Sequence, residues 1–270
     1  MPSLNGRVAI VTGSASGIGQ AVVRTLADRG ASVVVADING PGAERVAAGI
    51  VADGGTARAW TVDVAQPDQI RAMVDGALSD FGRVDILHNN AMAGSPLDLD
   101  VVNLDLGAWD LAMSVNLRGY LLGCRAVLPH MLERGSGVIV NTSSNSGLSG
   151  DLTRTAYGVS KAGVNALTMY VATQYGRRGI RCNAVSPGLV MTPAMEAAEA
   201  LSAQDREIYQ LSHLTPRFAY PADIAGYVAF LVSDEAEMIN GQILCIDGGM
   251  LAHTPSYAQF LVAYGDRGDA

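Results

Sequence analysis

The chain predicts a doubly wound α/β fold, a parallel sheet with helices on both faces. Two observations carry this. Short runs rich in Val and Ile alternate along the chain with longer, Ala-rich periodic segments, and regular β-α alternation builds parallel sheets. Several of the short runs are nearly continuous in apolar residues, as expected of strands buried on both faces. Of the 270 residues, 49% are hydrophobic, which is ample material for a core.

Seven stretches read as strands: 7–12 (RVAIVT), 32–37 (SVVVAD), 57–62 (ARAWTV), 84–89 (VDILHN), 137–142 (GVIVNT), 180–185 (IRCNAV) and 242–247 (QILCID). Helical segments are expected near 17–29, 41–52, 67–81, 107–133, 155–178 and 221–232. Pro67 and Pro221 stand where a helix would begin, a position proline tolerates. No linker, repeat or low-complexity tract interrupts the pattern, so residues 1–270 read as one domain. The stretch 191–215 has no strand pattern and reads as a helical flap, and the tail 251–270 is weakly patterned beyond SYAQFLVAY.

Composition excludes several classes. The net charge is -8, spread along the chain, with no block of Lys and Arg; the electrostatic footprint of a nucleic-acid binder is missing. The apolar runs are strand-sized or broken by charges, and the N-terminal run is too short for a signal peptide. Cys124, Cys182 and Cys245 lie far apart, with no metal-ligand spacing. The expectation is a soluble, cytoplasmic protein that binds no nucleic acid, membrane or metal.

In open α/β sheets, ligands bind beyond the carboxyl ends of the strands. The first strand is followed by TGSASGIG, with Gly13, Gly17 and Gly19. Such glycines let the backbone approach a pyrophosphate at a helix N-terminus, although any tight strand-to-helix turn also uses them. The second strand ends in Asp37, with Ser16 and Ile38 where a base would sit. An acid there accepts ribose hydroxyls and repels a 2′-phosphate, which favours NAD over NADP. Asp63, Asn89 and Asn90, Ser143 and Ser144, then Pro187, Gly188 and Thr192 end the next four strands. Each could be turn chemistry; together they point to a ligand lying along that edge. Tyr157 and Lys161 are spaced i, i+4, which puts them on one helix face. An ammonium that close favours the ionised phenol.

These residues resemble the short-chain dehydrogenase/reductase family, of its NAD-preferring type. The resemblance is carried by TGSASGIG, Asp37, Asp63, NNA (89–91), Asn116 in SVNLRG, Ser144 standing 13 residues before Tyr157, YGVSK (157–161) and PG…T (187–192). Met92 departs from it, standing where the family has Gly in NNAG. The resemblance implies a Rossmann-type sheet of strand order 3-2-1-4-5-6-7. It also implies a homotetramer or homodimer built on two long helices. Tyr157 would be the general acid/base, Lys161 its tuning cation, Ser144 the holder of the substrate oxygen and Asn116 a water anchor. NAD would lie along Gly13, Ser16, Gly17, Ile18, Gly19, Asp37, Ile38, Asp63, Val64, Asn90, Ala91, Pro187, Gly188, Val190 and Thr192. The implied activity interconverts a secondary alcohol and a ketone. An NADP-dependent carbonyl reductase and a non-catalytic NAD(H)-binding redox sensor are the alternatives. Substrate choice falls to the segment 191–218, with Met92, Asp151, Met195 and His213 as pocket candidates. Of the four histidines, His88 and His130 are expected to be structural, and His253 is the alternative to His213 at the pocket.

Overall fold

The structure is a computed structural model, and it describes residues 3–197 and 201–265. Seven strands form one sheet in the order β3-β2-β1-β4-β5-β6-β7. They are β1 (Val8–Thr12), β2 (Ser32–Asp37), β3 (Thr56–Thr61), β4 (Ile86–Asn89), β5 (Gly137–Thr142), β6 (Ile180–Pro187) and β7 (Ile243–Ile246). Every neighbouring pair is parallel. This is the Rossmann-type sheet and strand order that the sequence leads one to expect.

The alternation of side chains divides the core into two layers. Ala9, Val11, Val33 and Val35 face α1 (Gly17–Asp28), α2 (Gly40–Ala52) and α9 (Pro221–Leu231). Ile10, Val34 and Ala36 face α3 (Pro67–Phe81), α5 (Gly119–Arg134) and α6 (Thr155–Tyr175). Successive strand residues point to opposite faces, so a run such as VVVA must be apolar throughout.

Some boundaries differ from expectation for physical reasons. The expected helix 107–133 is helical throughout but not uniformly wound. It divides into α4 (Leu106–Ala112), a π-helical turn (Met113–Arg118) and α5, and wider turns of this kind re-aim side chains. The last turn expected of 155–178 is a 3₁₀ turn (Gly176–Arg178) closed by Gly179 in the left-handed region. The flap holds α7 (Pro193–Ala197) and α8 (Ala203–Ser212), the latter started by a reciprocal Ser202–Asp205 capping box. Residues 198–200 of the flap and 266–270 of the tail lie outside the described residues; the rest of the tail forms α10 (Tyr257–Tyr264). Among the described residues, no helix is long and apolar enough to cross a membrane.

At the amino edge of the sheet, one buried carboxylate gathers three donors. Asp85 accepts from Val8 N at 2.8 Å, from Arg83 Nη2 at 2.7 Å and from Arg134 Nη2 at 3.3 Å. Removing the carboxylate leaves the buried Val8 N without its acceptor, whereas Arg83 and Arg134 reach solvent and Arg134 keeps Val84 O and Ser136 O. Asp85→Ala should therefore lower unfolding stability by about 1–3 kcal/mol. Urea denaturation checks this. The carboxyl edge of the sheet should keep its structure in the folded variant, because Asp85 lies at the opposite edge.

Candidate active site

A cleft of about 850 Å³ runs along the carboxyl edge of the sheet. Its two ends differ in chemistry. At one end lie the β1–α1 loop and the acids that close β2 and β3; at the other lie Ser144, Tyr157, Lys161 and the flap.

The glycine loop is built for close backbone approach. Gly13 has φ +65°, and a Cβ there would stand 2.6 Å from Ala91 Cα. A Cβ on Gly19 would stand 2.2 Å from the Gly13 carbonyl oxygen. Gly19 does not line the cleft; it lets the first turn of α1 pack under the loop. Ser14, buried beneath, donates to Val11 O at 2.8 Å and accepts from Ala36 N at 3.0 Å. Asp37 accepts from Ala15 N at 2.9 Å and from Asn39 N at 2.9 Å, and it remains partly open to the cleft. Asp63 likewise holds its own turn by accepting from Ala65 N.

In the centre, Asn90 ties neighbouring strands together. Its amide donates to Thr12 O and Gly13 O at 3.1 and 3.0 Å, and its oxygen accepts from Thr142 Oγ1 at 3.2 Å. With its hydrogen so directed, Thr142 Oγ1 accepts from His88 Nε2 at 2.9 Å. Burial, together with the Lys161 charge, pushes the His88 pKa down to about 3, so this imidazole is neutral.

Around Tyr157, Asp98 is the organiser. This buried carboxylate accepts from Ala156 N at 2.8 Å and Tyr157 N at 2.9 Å, which caps α6 from a loop 59 residues away in sequence. Ser143 and Ser144 are told apart by their partners. Ser143 Oγ is spent on the Lys161 carbonyl, whereas Ser144 Oγ accepts from Ser146 N and keeps its own hydrogen to give.

Apart from Gly19, every residue expected beside the cofactor lines the cleft: Ser16, Gly17, Ile18, Ile38, Val64, Ala91, Pro187, Gly188, Val190 and Thr192 stand there with the residues already described. Met92 and Met195 line it too. Asp151 and His213, also expected at the pocket, do not line it. Asp151 is exposed and accepts from Leu152 N. The His213 ring is buried against Phe218, its Nδ1 against Tyr209 O. Asn116 lies behind the wall. Its side chain accepts from Ala93 N at 2.8 Å and donates to Ala93 O at 3.0 Å, which pins the stretch after Met92.

Comparison with known proteins agrees with this arrangement. Residues 13–251 match the family model described as enoyl-(acyl carrier protein) reductase. A probable short-chain type dehydrogenase/reductase of Bradyrhizobium diazoefficiens is 48% identical, covering 96% of this chain and 92% of its own. The D-threitol dehydrogenase of Mycolicibacterium smegmatis is 41% identical over 91% of this chain and 93% of its own. A solved 7α-hydroxysteroid dehydrogenase complexed with NADH and 7-oxo glycochenodeoxycholic acid superposes with a TM-score of 0.85. It is 35% identical and covers 92% of this chain and 95% of its own. The chain belongs to the short-chain dehydrogenase/reductase family.

Within this family member, the sequence reading missed Asp98, Ser14 and Arg154. Asp98 and Ser14 left no signal, since the α6 backbone that Asp98 caps and the Ala36 N that Ser14 holds are brought near only by the fold. Arg154 did leave one, by standing three residues before Tyr157. Among the described residues it is the one non-glycine with positive φ, at 64°. That conformation costs on the order of 1–3 kcal/mol. Its guanidinium lies 4.2 Å from the centroid of the Tyr157 ring, within the cleft.

Lys161 is almost fully buried. Its Nζ donates to Thr142 O at 2.7 Å and to Tyr120 Oη at 3.3 Å, and it stands 5.7 Å from the Tyr157 ring centroid. Loss of hydration pulls its pKa from 10.5 down to about 7. Between these two values the unfolded chain holds a proton that the folded chain has released, so stability rises with pH across that window. Below pH about 7 both states are protonated and the burial cost is constant. Lys161→Met should remove this slope. Urea unfolding from pH about 6 to about 10 should show wild type gaining a few kcal/mol relative to the variant; parallel profiles would refute the assignment.

Proposed function

We propose that this chain is an NAD-dependent oxidoreductase that interconverts a secondary alcohol and a ketone, with residues 1–270 acting as one catalytic domain. One observation carries the reading. Tyr157, Lys161 and Ser144 share a single cleft with a glycine loop closed by an acid at the end of β2.

The residues present fit a dinucleotide. A Cβ at Gly13 or Gly19 would close the loop against its neighbours, so the backbone there is free to meet a pyrophosphate. Asp37 would take the adenosine ribose hydroxyls, Asp63 and Val64 would flank the adenine, and Asn90 through Ala91 would follow the chain toward Lys161. Pro187 through Thr192 would cover the far end. A nicotinamide supplies the hydride chemistry.

The chain's own part is proton handling. Tyr157 would pass a proton to or from the substrate oxygen, and Ser144 would hold that oxygen through the hydrogen its hydroxyl keeps free. Lys161 would favour the phenolate while it is charged. Asn116 acts as a positioning residue by fixing Ala93 at the cleft wall. Relatives acting on a tetritol and on a steroid support a secondary carbinol as the reacting group.

NAD over NADP is supported by Asp37 and by the surroundings it keeps. Among the described residues, no Lys or Arg joins Ser16, Ile38 and Asp63 in lining that end of the cleft. Assembly into a homotetramer or homodimer is supported by an apolar groove between α5 and α6, lined by Leu121, Leu128, Leu132, Leu167 and Tyr170.

The decisive experiment follows NADH absorbance over a panel of secondary alcohols. Tyr157→Phe should lower turnover by about 10²- to 10⁴-fold and leave the affinity for NADH near wild type. An unchanged rate would remove Tyr157 from the chemistry. Asp37→Ala should narrow the preference for NAD over NADP by about tenfold, measured as the ratio of kcat/KM values; a wild type that prefers NADP would overturn the cofactor assignment.

A further inference from the structure

Arg154 holds the one conformation in the described chain that a side chain rarely adopts, at φ 64° and ψ 38°. Glycine or asparagine would occupy such a position at lower cost. Two contacts impose it: Arg154 N donates to Asp98 O at 2.9 Å, and Thr155 Oγ1 donates to Leu99 O at 2.8 Å. An observed backbone outlier beside a reactive group points to a functional side chain. Here the side chain is a guanidinium lying on the face of Tyr157, 4.2 Å from its centroid, and lining the same cleft.

Its charge has no carboxylate partner among the described residues. Asp98, whose carbonyl holds the Arg154 backbone, is buried, and both its carboxylate oxygens are taken by the backbone of α6. Asp151 accepts from Leu152 N. Lys161, the other cation of the cleft, is turned toward Thr142 O and Tyr120 Oη. Among the residues that line the cleft, Met92, Leu189, Met195, Leu201 and Tyr209 offer apolar surface.

From this we infer that Arg154 is a specificity residue that binds a carboxylate on the substrate. The preferred substrate is then a hydroxy acid or keto acid with an apolar, non-phosphorylated body. A planar guanidinium fork matches one carboxylate through two hydrogen bonds. A single exposed guanidinium lining the cleft suits a monoanion; a phosphate ester would call for further donors. The guanidinium carbon lies 4.2 Å from the Tyr157 ring centroid, so a bound acid group and the carbinol at Tyr157 would belong to one small molecule. This inference rests on the oxidoreductase reading for its chemistry, but its binding claim can be tested apart from turnover.

The test compares cyclohexanecarboxylate with cyclohexanecarboxamide by calorimetry on the NADH-loaded protein, in wild type and in Arg154→Gln, Arg154→Lys and Arg154→Gly. In wild type the acid should bind about tenfold or more tighter than the amide. The preference should vanish in Arg154→Gln and Arg154→Gly and persist in part in Arg154→Lys. Arg154→Gly also relieves the left-handed strain, so its Tm should equal or exceed that of wild type; a purely structural arginine would lower Tm and leave the ratio alone. Equal affinities in wild type, including no binding of either, would overturn the proposal, as would a preference that survives Arg154→Gln. Oxidation of 3-hydroxycyclohexanecarboxylate and of cyclohexanol separates the two readings. Tyr157-dependent turnover of cyclohexanol without acid preference sinks only the arginine site. Acid preference without hydride transfer from any alcohol sinks only the oxidoreductase.

Discussion

A parallel strand cannot be reached by a tight turn. Each strand of this sheet is regained by a crossover over one face, and this one constraint organises the rest of the molecule. It buries both faces, so the strands become apolar throughout. It also sends every strand out at the same edge. Asp37, Asp63, Asn90, Ser144 and Pro187 are far apart in sequence and follow five different strands, yet they line one cleft.

That edge is held by polar bonds among side chains with little freedom. Asn90, Thr142 and His88 form a chain across neighbouring strand ends, and Lys161 bonds to the carbonyl of the same Thr142. A second buried ladder runs from Asn89 to Asn141 at 2.9 Å and on to Thr168 at 2.9 Å. Buried polar groups of this sort are costly unless paired, and when paired they fix one arrangement. The ammonium of Lys161 is thus placed at the price of its hydration, which is why its pKa falls to about 7.

The loop after β4 shows how the site is steadied from outside the sheet. It carries Met92, 57% exposed at the cleft, in the position where the family has glycine. Behind it, the π-helical turn aims Asn116 at both backbone groups of Ala93. Further along the same loop, Asp98 caps α6 next to Tyr157. One loop therefore sets both a wall of the cleft and the start of the helix that bears Tyr157 and Lys161.

The sequence by itself determined the sheet, its helices and most of the cleft. Hydrophobic period, glycine spacing and the i, i+4 pair are local signals, each legible within a short stretch of sequence. Gly13, Asp37, Tyr157 and Lys161 could be read that way. Only the tertiary structure decided the rest. Asp98 and Ser14 act on backbone groups brought near by folding. Asn116 is aimed by a turn whose width no local pattern announces. Asp151 and His213 share the polar character of pocket residues but face solvent and core. The strain at Arg154 comes from a hydrogen bond to a loop 56 residues earlier in the chain. Contacts at such separation depend on the packing of whole elements, and a linear pattern holds no record of which partners that packing brings together.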